Sequence, residues 1–262
     1  MVKLERVAPL FAGWEETMIW SCLQGCMGYA IADQEEAPRA AQIVVGDFCF
    51  FAGEPQDRLI CQAGAPILVP KDEAWARRIE AVLGQSVQKS LRYAICKEPD
   101  RFDREKLRRF AQALEPSFSL RVFDRDLYHQ AMAEAWSRDF CGLFQDFADF
   151  QRRGLGVGVV QEGRLVAGAS SYSVYHGGIE IQIATQKAYR RRGLATACGA
   201  RLILLCLERG LNPSWDAHDL RSVALAEKLE VKNATLMWPM RIAAAGKLVT
   251  PGGAVEICHI LG

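Results

Sequence analysis

Ile179–Gly210 reads IEIQIATQKAYRRRGLATACGARLILLCLERG, and its three parts decide the fold. Ile179, Ile181 and Ile183 alternate with Glu180, Gln182 and Ala184. That is the period of two expected of a strand with one buried face. A polar turn follows, Gln186-Lys187-Ala188-Tyr189. Arg190-Arg191-Arg192-Gly193-Leu194-Ala195 then leads into an apolar run from Thr196 to Leu207, which Gly210 closes as a helix C-terminal glycine. The order is strand, basic glycine-containing turn, helix. The first backbone N–H groups of a helix lack intrahelical partners and sit at the positive end of its dipole. A small residue there admits an anion to the backbone, which suits a phosphate or pyrophosphate. Gly193 and Ala195 are the small residues, and Arg190, Arg191 and Arg192 add charge; an exposed basic turn is the alternative.

Arg190-x-x-Gly193-x-Ala195 resembles the Q/R-x-x-G-x-G/A signature of the GNAT superfamily of acetyl-CoA-dependent N-acetyltransferases. A second match lies in PSWDAHDLRSVALAEKL, residues 213–229. It resembles the fifth GNAT strand and the N-x-x-S/A element that opens the next helix, with Asp219 where Asn is usual and Ser222 fitting. The wording is similar to a bacterial branch with an extra N-terminal domain, the zwittermicin-resistance-like acetyltransferases. The specific likeness covers about residues 119 to 229. It implies a mixed, mostly antiparallel sheet flanked by helices, an α/β (α+β) fold.

Outward from this core, Pro116 marks the expected boundary: an N-terminal α/β accessory domain over residues 1–116 and the acetyltransferase domain over 117–262. In the first part, Val2–Met27 reads as mostly helical, with Leu10, Trp14, Thr17, Met18 and Cys22 on one face. That face serves the domain's own core or an interdomain or homodimer surface. Ala41–Ala52, with a turn signal at Gly46-Asp47, reads as a hairpin or two adjoining strands, and Pro66–Val69 and Leu91–Cys96 as strands. Asp72 and Asp103 stand as N-caps of two helices, the first closed by Gly84. In the second part, Ser117–Phe123 reads as a strand, Asp126–Phe140 and Phe144–Arg153 as helices, and Gly156–Gln161, Leu165–Tyr175 and Ile179–Ala184 as strands. Glu162-Gly163 and Gly177-Gly178 supply the hairpin turns. Gly154-Leu155-Gly156-Val157-Gly158 is rejected as a dinucleotide fingerprint, since it lacks a preceding strand and a third glycine at the needed offset. Beyond about residue 230 the pattern departs from the family. Strands at Thr235–Ile242 and Ala254–Ile260 are one reading, and a frame change or an appended tail another.

Lys and Arg total 32 against 31 Asp and Glu, a net charge of +1, which argues against general attraction to nucleic acid or anionic membrane. The apolar window Leu202–Leu207 is too short to span a bilayer, and Lys3, Glu5 and Arg6 open no signal peptide. A cytoplasmic protein is expected. The 9 cysteines are odd in number, irregularly spaced and mostly inside apolar runs, so they read as reduced, buried small hydrophobes. Cys22 and Cys26 have helical spacing but no second pair nearby, so no metal is expected.

The resemblance assigns the chemistry. Acetyl-CoA is the co-substrate and a primary amine of a small molecule, a metabolite or an antibiotic, the acceptor. Ile183, Ala184 and Thr185 offer the backbone edge to pantetheine. Arg190, Arg191, Arg192, Gly193, Leu194, Ala195 and Thr196 hold the pyrophosphate, with Arg191 or Arg192 reaching the 3′-phosphate. Asp219 and Ser222 lie along the arm. Amine acylation needs a proton removed, and Glu180 on the fourth GNAT strand is the first choice of base. Its alternative is a solvated strand carboxylate. The usual acid, a tyrosine four residues after the S/A, falls on Ala226, so His218 and Tyr172 are the substitutes. Two rival functions remain: an acyl-CoA-binding sensor or scaffold without catalysis, and a protein or peptide N-acetyltransferase.

Overall fold

The computed structural model describes residues 2–94, 102–217 and 219–229, and the backbone of 239–245. The chain forms two compact units. The first takes the chain to Tyr93 together with the strand that begins at Pro239, and the second begins at Ala94.

The first unit opens with α1 (Leu4–Val7), a 3-10 turn and α2 (Thr17–Leu23). The expected long helix is broken because Gly13 adopts a left-handed conformation, φ +74°, between the pieces. The strands β1 (Tyr29–Ala32), β2 (Ala40–Val45) and β3 (Phe48–Gly53) follow, with the hairpin turn at Gly46-Asp47 as read. Then come α3 (Asp57–Cys61), β4 (Ile67–Pro70), α4 (Glu73–Leu83) and β5 (Val87–Ala94). Strand order in this unit is β1-β2-β3-β4, then the Pro239–Ala245 strand, then β5. Phe51, Leu59, Leu68 and Ile79 pack around Trp75, whose indole N–H donates to Gly53 O at 2.7 Å. That bond satisfies the indole's polar handle inside an apolar core.

In the second unit, α5 (Arg104–Gln112) is capped by Asp103 as expected. The strand β6 (Ser119–Val122) leads to α6 (Arg125–Ala133), and a 3-10 turn and α7 (Phe147–Arg153) follow. The helix expected over Asp126–Phe140 therefore stops at Ala133, where Glu134 turns to extended backbone. The strands β7 (Gly156–Gln161), β8 (Arg164–Tyr175) and β9 (Gly178–Thr185) form an antiparallel meander. Its first turn carries Glu162 and Gly163, both at positive φ. The second turns on His176 and Gly177, one residue earlier than read, because Tyr175 pairs with Gly178. After α8 (Leu194–Glu208) come β10 (Asn212–Ser214), β11 (Asp216–Ala217) and α9 (Leu220–Lys228). The sheet order is β10-β9-β8-β7-β6, and β10 joins parallel to β9. The remaining described strand, β12 (Pro239–Ala245), is the one already placed in the first unit, and the Ala254–Ile260 strand expected from the sequence lies outside the described residues.

The boundary expected near Pro116 would put α5 with the first unit; the units divide between Tyr93 and Ala94, and α5 lies against α8. That contact explains why α8 is apolar on nearly every side. It is covered by α5 and by β7, β8, β9 and β10, and Ala197–Ala200 and Leu202–Cys206 are buried. Five of the described cysteines, Cys22, Cys49, Cys141, Cys198 and Cys206, are buried thiols, and Cys61 is exposed. Burial pushes the thiols of Cys22, Cys49, Cys198 and Cys206 up to about 12, so at neutral pH they behave as small hydrophobes. No described helix is long and apolar enough to cross a membrane.

Asp149 anchors α7. Its carboxylate takes the Arg153 guanidinium through both oxygens, at 2.8 and 2.6 Å, and Arg152 at 2.6 Å. The hydrogen bond from Arg153 holds the Asp149 carboxyl down at about 2. Because this lies below the unfolded value of about 4, the stabilisation is complete above that pH and is lost as pH falls through about 2. Asp149→Asn should lower stability at pH 7 by on the order of 2 kcal/mol. It should also flatten the fall of Tm between about pH 4 and 2, as thermal melts across that range would record.

Candidate functional site

The strand–turn–helix stretch forms as read. Five other helices carry an aspartate cap: Asp72 accepts from Trp75 N, Asp103 from Glu105 N and Lys106 N, Asp124 from Leu127 N, Asp146 from Asp149 N, and Asp219 from Ser222 N. The start of α8 differs. Its N-cap is Gly193, left-handed at φ +78°, and no side chain caps it. The N–H groups of its first turn therefore keep their partial positive charge for an external acceptor. A Cβ added at Gly193 would meet nothing within 4 Å, so the space before those N–H groups is open.

The basic loop is ordered around this opening. Arg191 takes φ +64°, a left-handed conformation that long side chains seldom adopt and that clusters at ligand clamps. Arg190 donates to Thr185 O at 3.3 Å. Arg192 is engaged elsewhere: it pairs with Glu115 and lies 4.5 Å over the Phe118 ring, which in turn meets Tyr189 edge-on. Leu194 and Thr196 are buried, and Ala195 is half-buried. The chain thus brings Arg190 to Thr196 into one turn, with its arginines in three different settings.

Beside the turn, the sheet opens. The parallel ladder runs Asn212↔Gly178, Pro213↔Ile179 and Ser214↔Glu180, and then ends. The strand β9 continues to Thr185, paired on its other side with β8 as far as Ala167↔Thr185. From Ile181 to Thr185, β9 therefore has one edge without a ladder partner among the described residues, and this edge carries Ile183, Ala184 and Thr185. Gly199 sets the depth at which α8 sits, since a Cβ there would lie 3.1 Å from Ile183 Cδ1 and 2.8 Å from Leu229 Cδ1.

Glu180 stands at the last paired row. It is 4% exposed, so the solvated alternative is excluded by burial. Its Oε1 accepts from Asp216 N at 2.8 Å, across the point where the strands part. Below this, the Tyr175 hydroxyl and Ser214 Oγ lie 3.0 Å apart in a buried pair. Burial raises the Tyr175 phenol above its ordinary value, and the nearby Glu180 charge adds to the rise. Tyr172 is buried at the β-bulge where β8 changes register between Ser171 and Ser173. His218 lies outside the described residues. Ala226, in the usual acid position, is fully buried. Asp219 and Ser222 are joined by the α9 cap, and Arg221 also donates to Asp219 at 2.8 Å. Asp216, Ser214 and Tyr175 escape the sequence reading, because only the parallel pairing of β10 with β9 brings them to Glu180. Among the described residues no three His, Cys, Asp or Glu are grouped to hold a metal ion.

A family model, GNAT acetyltransferase, matches residues 8–235. Among solved structures, a GCN5-related N-acetyltransferase-like protein from Streptococcus suis 89/1591 superposes with a TM-score of 0.86 at 43% identity, over 92% of this chain and 98% of that one. Among curated proteins, the uncharacterized N-acetyltransferase YdfB of Bacillus subtilis (strain 168) is 27% identical over 172 residues. That match covers 64% of this chain, and the chain spans 62% of YdfB. A stretch of 51 residues is also 47% identical to glutamate–tRNA ligase of Clostridium botulinum, covering 19% of this chain and 10% of the ligase.

The bond from Asp216 N to Glu180 has a stability consequence independent of any ligand. Glu180→Leu leaves a buried N–H without its acceptor and should cost about 1–3 kcal/mol. Glu180→Gln retains a side-chain oxygen and should unfold close to wild type. Urea titrations of the two variants compare them.

Proposed function

The chain belongs to the GNAT acetyltransferase family, and from that we propose that it moves an acetyl group from acetyl-CoA to a primary amine of a small molecule. The observation that carries this reading is the open β9 edge, which leads from Glu180 to the uncapped N-terminus of α8. An extended arm ending in a pyrophosphate fits such a slot: its amides pair with a strand edge, and its charge meets helix N–H groups and arginine. Acetyl-CoA supplies an acyl carbon activated as a thioester.

The chain's own residues do the rest. Ile183, Ala184 and Thr185 present backbone donors and acceptors along the arm. Gly193, Leu194, Ala195 and Thr196 surround the pyrophosphate. Arg190 steadies the loop from Thr185, and Arg191 is our choice for the 3′-phosphate, since Arg192 is held by Glu115 and Phe118. Asp219 and Ser222, which open α9, lie along the arm in this reading. Glu180 takes the proton from the amine. Backbone N–H groups beside the parting strands are suited to the developing oxyanion. A metabolite or an antibiotic is the acceptor class we favour, in keeping with a zwittermicin-resistance-like branch.

Ala226 favours a second reading, an acyl-CoA-binding sensor without catalysis, because a buried methyl cannot protonate the departing thiolate. Thiol release from acetyl-CoA with an amine panel separates the two. Tyr172 and His218 are then tested as acids by Tyr172→Phe and His218→Asn.

Gly193→Asp should fold, because its Cβ has room and aspartate tolerates the left-handed region. It sets a carboxylate against the pyrophosphate and should abolish acetyl-CoA binding in calorimetry; wild-type affinity would remove the assignment. Glu180→Gln should lower turnover about 10²–10⁴-fold with little change in acetyl-CoA affinity. Its deficit should shrink as pH rises toward the amine's own pKa. Turnover at the wild-type rate across that range would make Glu180 a bystander.

A further inference from the structure

One row of the sheet is polar across three strands: Ser173 on β8, Glu180 on β9 and Ser214 on β10 are mutual ladder partners. All three are buried. Partners on adjacent strands project from the same face, so Glu180 has a hydroxyl residue on each side. Ser173 Oγ has no hydrogen-bond partner among the described residues. The other hydroxyl, Ser214 Oγ, is bonded to Tyr175 at 3.0 Å. Tyr175 belongs to β8, so its side chain reaches across β9 to bond β10. It can do so because it crosses at Gly178, where an added Cβ would fall on the Tyr175 hydroxyl. The crossing lies two residues before Glu180, directly below the place where β10 leaves β9.

Two bonds therefore fix the parting point. Tyr175 to Ser214 ties the strands together below it, and Asp216 N to Glu180 ties them at it. Ser214 and Asp216 flank one residue, Trp215, which is buried. A shift of β10 at Ser214 therefore moves the N–H that orients the Glu180 carboxylate. We propose that Tyr175, through Ser214, is a positioning residue for Glu180: a strap across β9 that sets where the base stands relative to the bound amine. The inference rests on Glu180 acting as the base. It needs no proton to pass through Tyr175, whose burial keeps the phenol protonated.

The test is a double-mutant cycle on the full chain, with thiol release from acetyl-CoA as the readout and the best acceptor from an amine panel. Tyr175→Phe keeps the ring over Gly178 and removes only the hydroxyl. It should lower kcat about tenfold, since small misplacement of a catalytic group is costly. The KM for acetyl-CoA should stay within about twofold, because the α8 turn is untouched. In the Glu180→Gln background the same change should cost nothing further, as two residues acting through one function are not additive. An equal loss in both backgrounds, or no loss with Glu180 intact, overturns the strap. If Glu180→Gln alone has no effect, or if no amine is turned over, the base reading falls and the strap with it. Should Tyr175→Phe not fold by thermal melt, Ser214→Ala, which removes the partner hydroxyl, takes its place in the same cycle with the same expectations.

Discussion

The structure of the site depends on where β10 stops pairing with β9. A parallel pair satisfies its backbone groups only while the two strands run side by side. Here the ladder holds for three residues and ends at Ser214↔Glu180, while β9 goes on to Thr185. The abandoned edge has no ladder partner among the described residues, and proteins normally cover such an edge. At its end Arg190 donates to Thr185 O, and the chain then leads to a helix start without a side-chain cap. In the proposed reading, these two sets of backbone groups serve a ligand that is extended at one end and anionic at the other.

Packing holds the slot in place. A helix as apolar as α8 is stable only when enclosed, and α5 on one side and the sheet on the other enclose it. Gly199 lets it approach β9 and α9 closely, so the first turn of α8 is fixed relative to the β9 edge. The loop between them then has little freedom. Gly193 and Arg191 adopt left-handed conformations there, and the Arg192 contacts with Glu115 and Phe118 tie the loop to the chain entering β6. The local strain at Arg191 is small beside the burial of α8, so the fold can sustain it.

Much of this was legible in the sequence, for local reasons. Alternating isoleucines fix the face of β9, and aspartates three residues before a helical N–H announce caps, as at Asp72 and Asp103. The Arg190–Ala195 motif marks a helix start without such a cap, at a left-handed glycine. Other features depend on contacts between distant segments. Gly13 in a left-handed conformation breaks the N-terminal helix that periodicity alone extends. Glu180 reads as a solvated carboxylate or a base until Asp216 and Ser214, more than thirty residues away, are seen to enclose it. The membership of α5 is likewise set by its contact with α8, which no local signal near Pro116 reveals.

The central claim is that acetyl-CoA occupies the β9 edge and the α8 N-terminus together. Amide hydrogen exchange measured with and without saturating acetyl-CoA addresses both at once. The account predicts new protection confined to two segments, Ile183–Thr185 and Gly193–Thr196, with the cap of α4 unchanged. Protection absent from these segments in a protein that binds acetyl-CoA, or centred elsewhere in the chain, would contradict it.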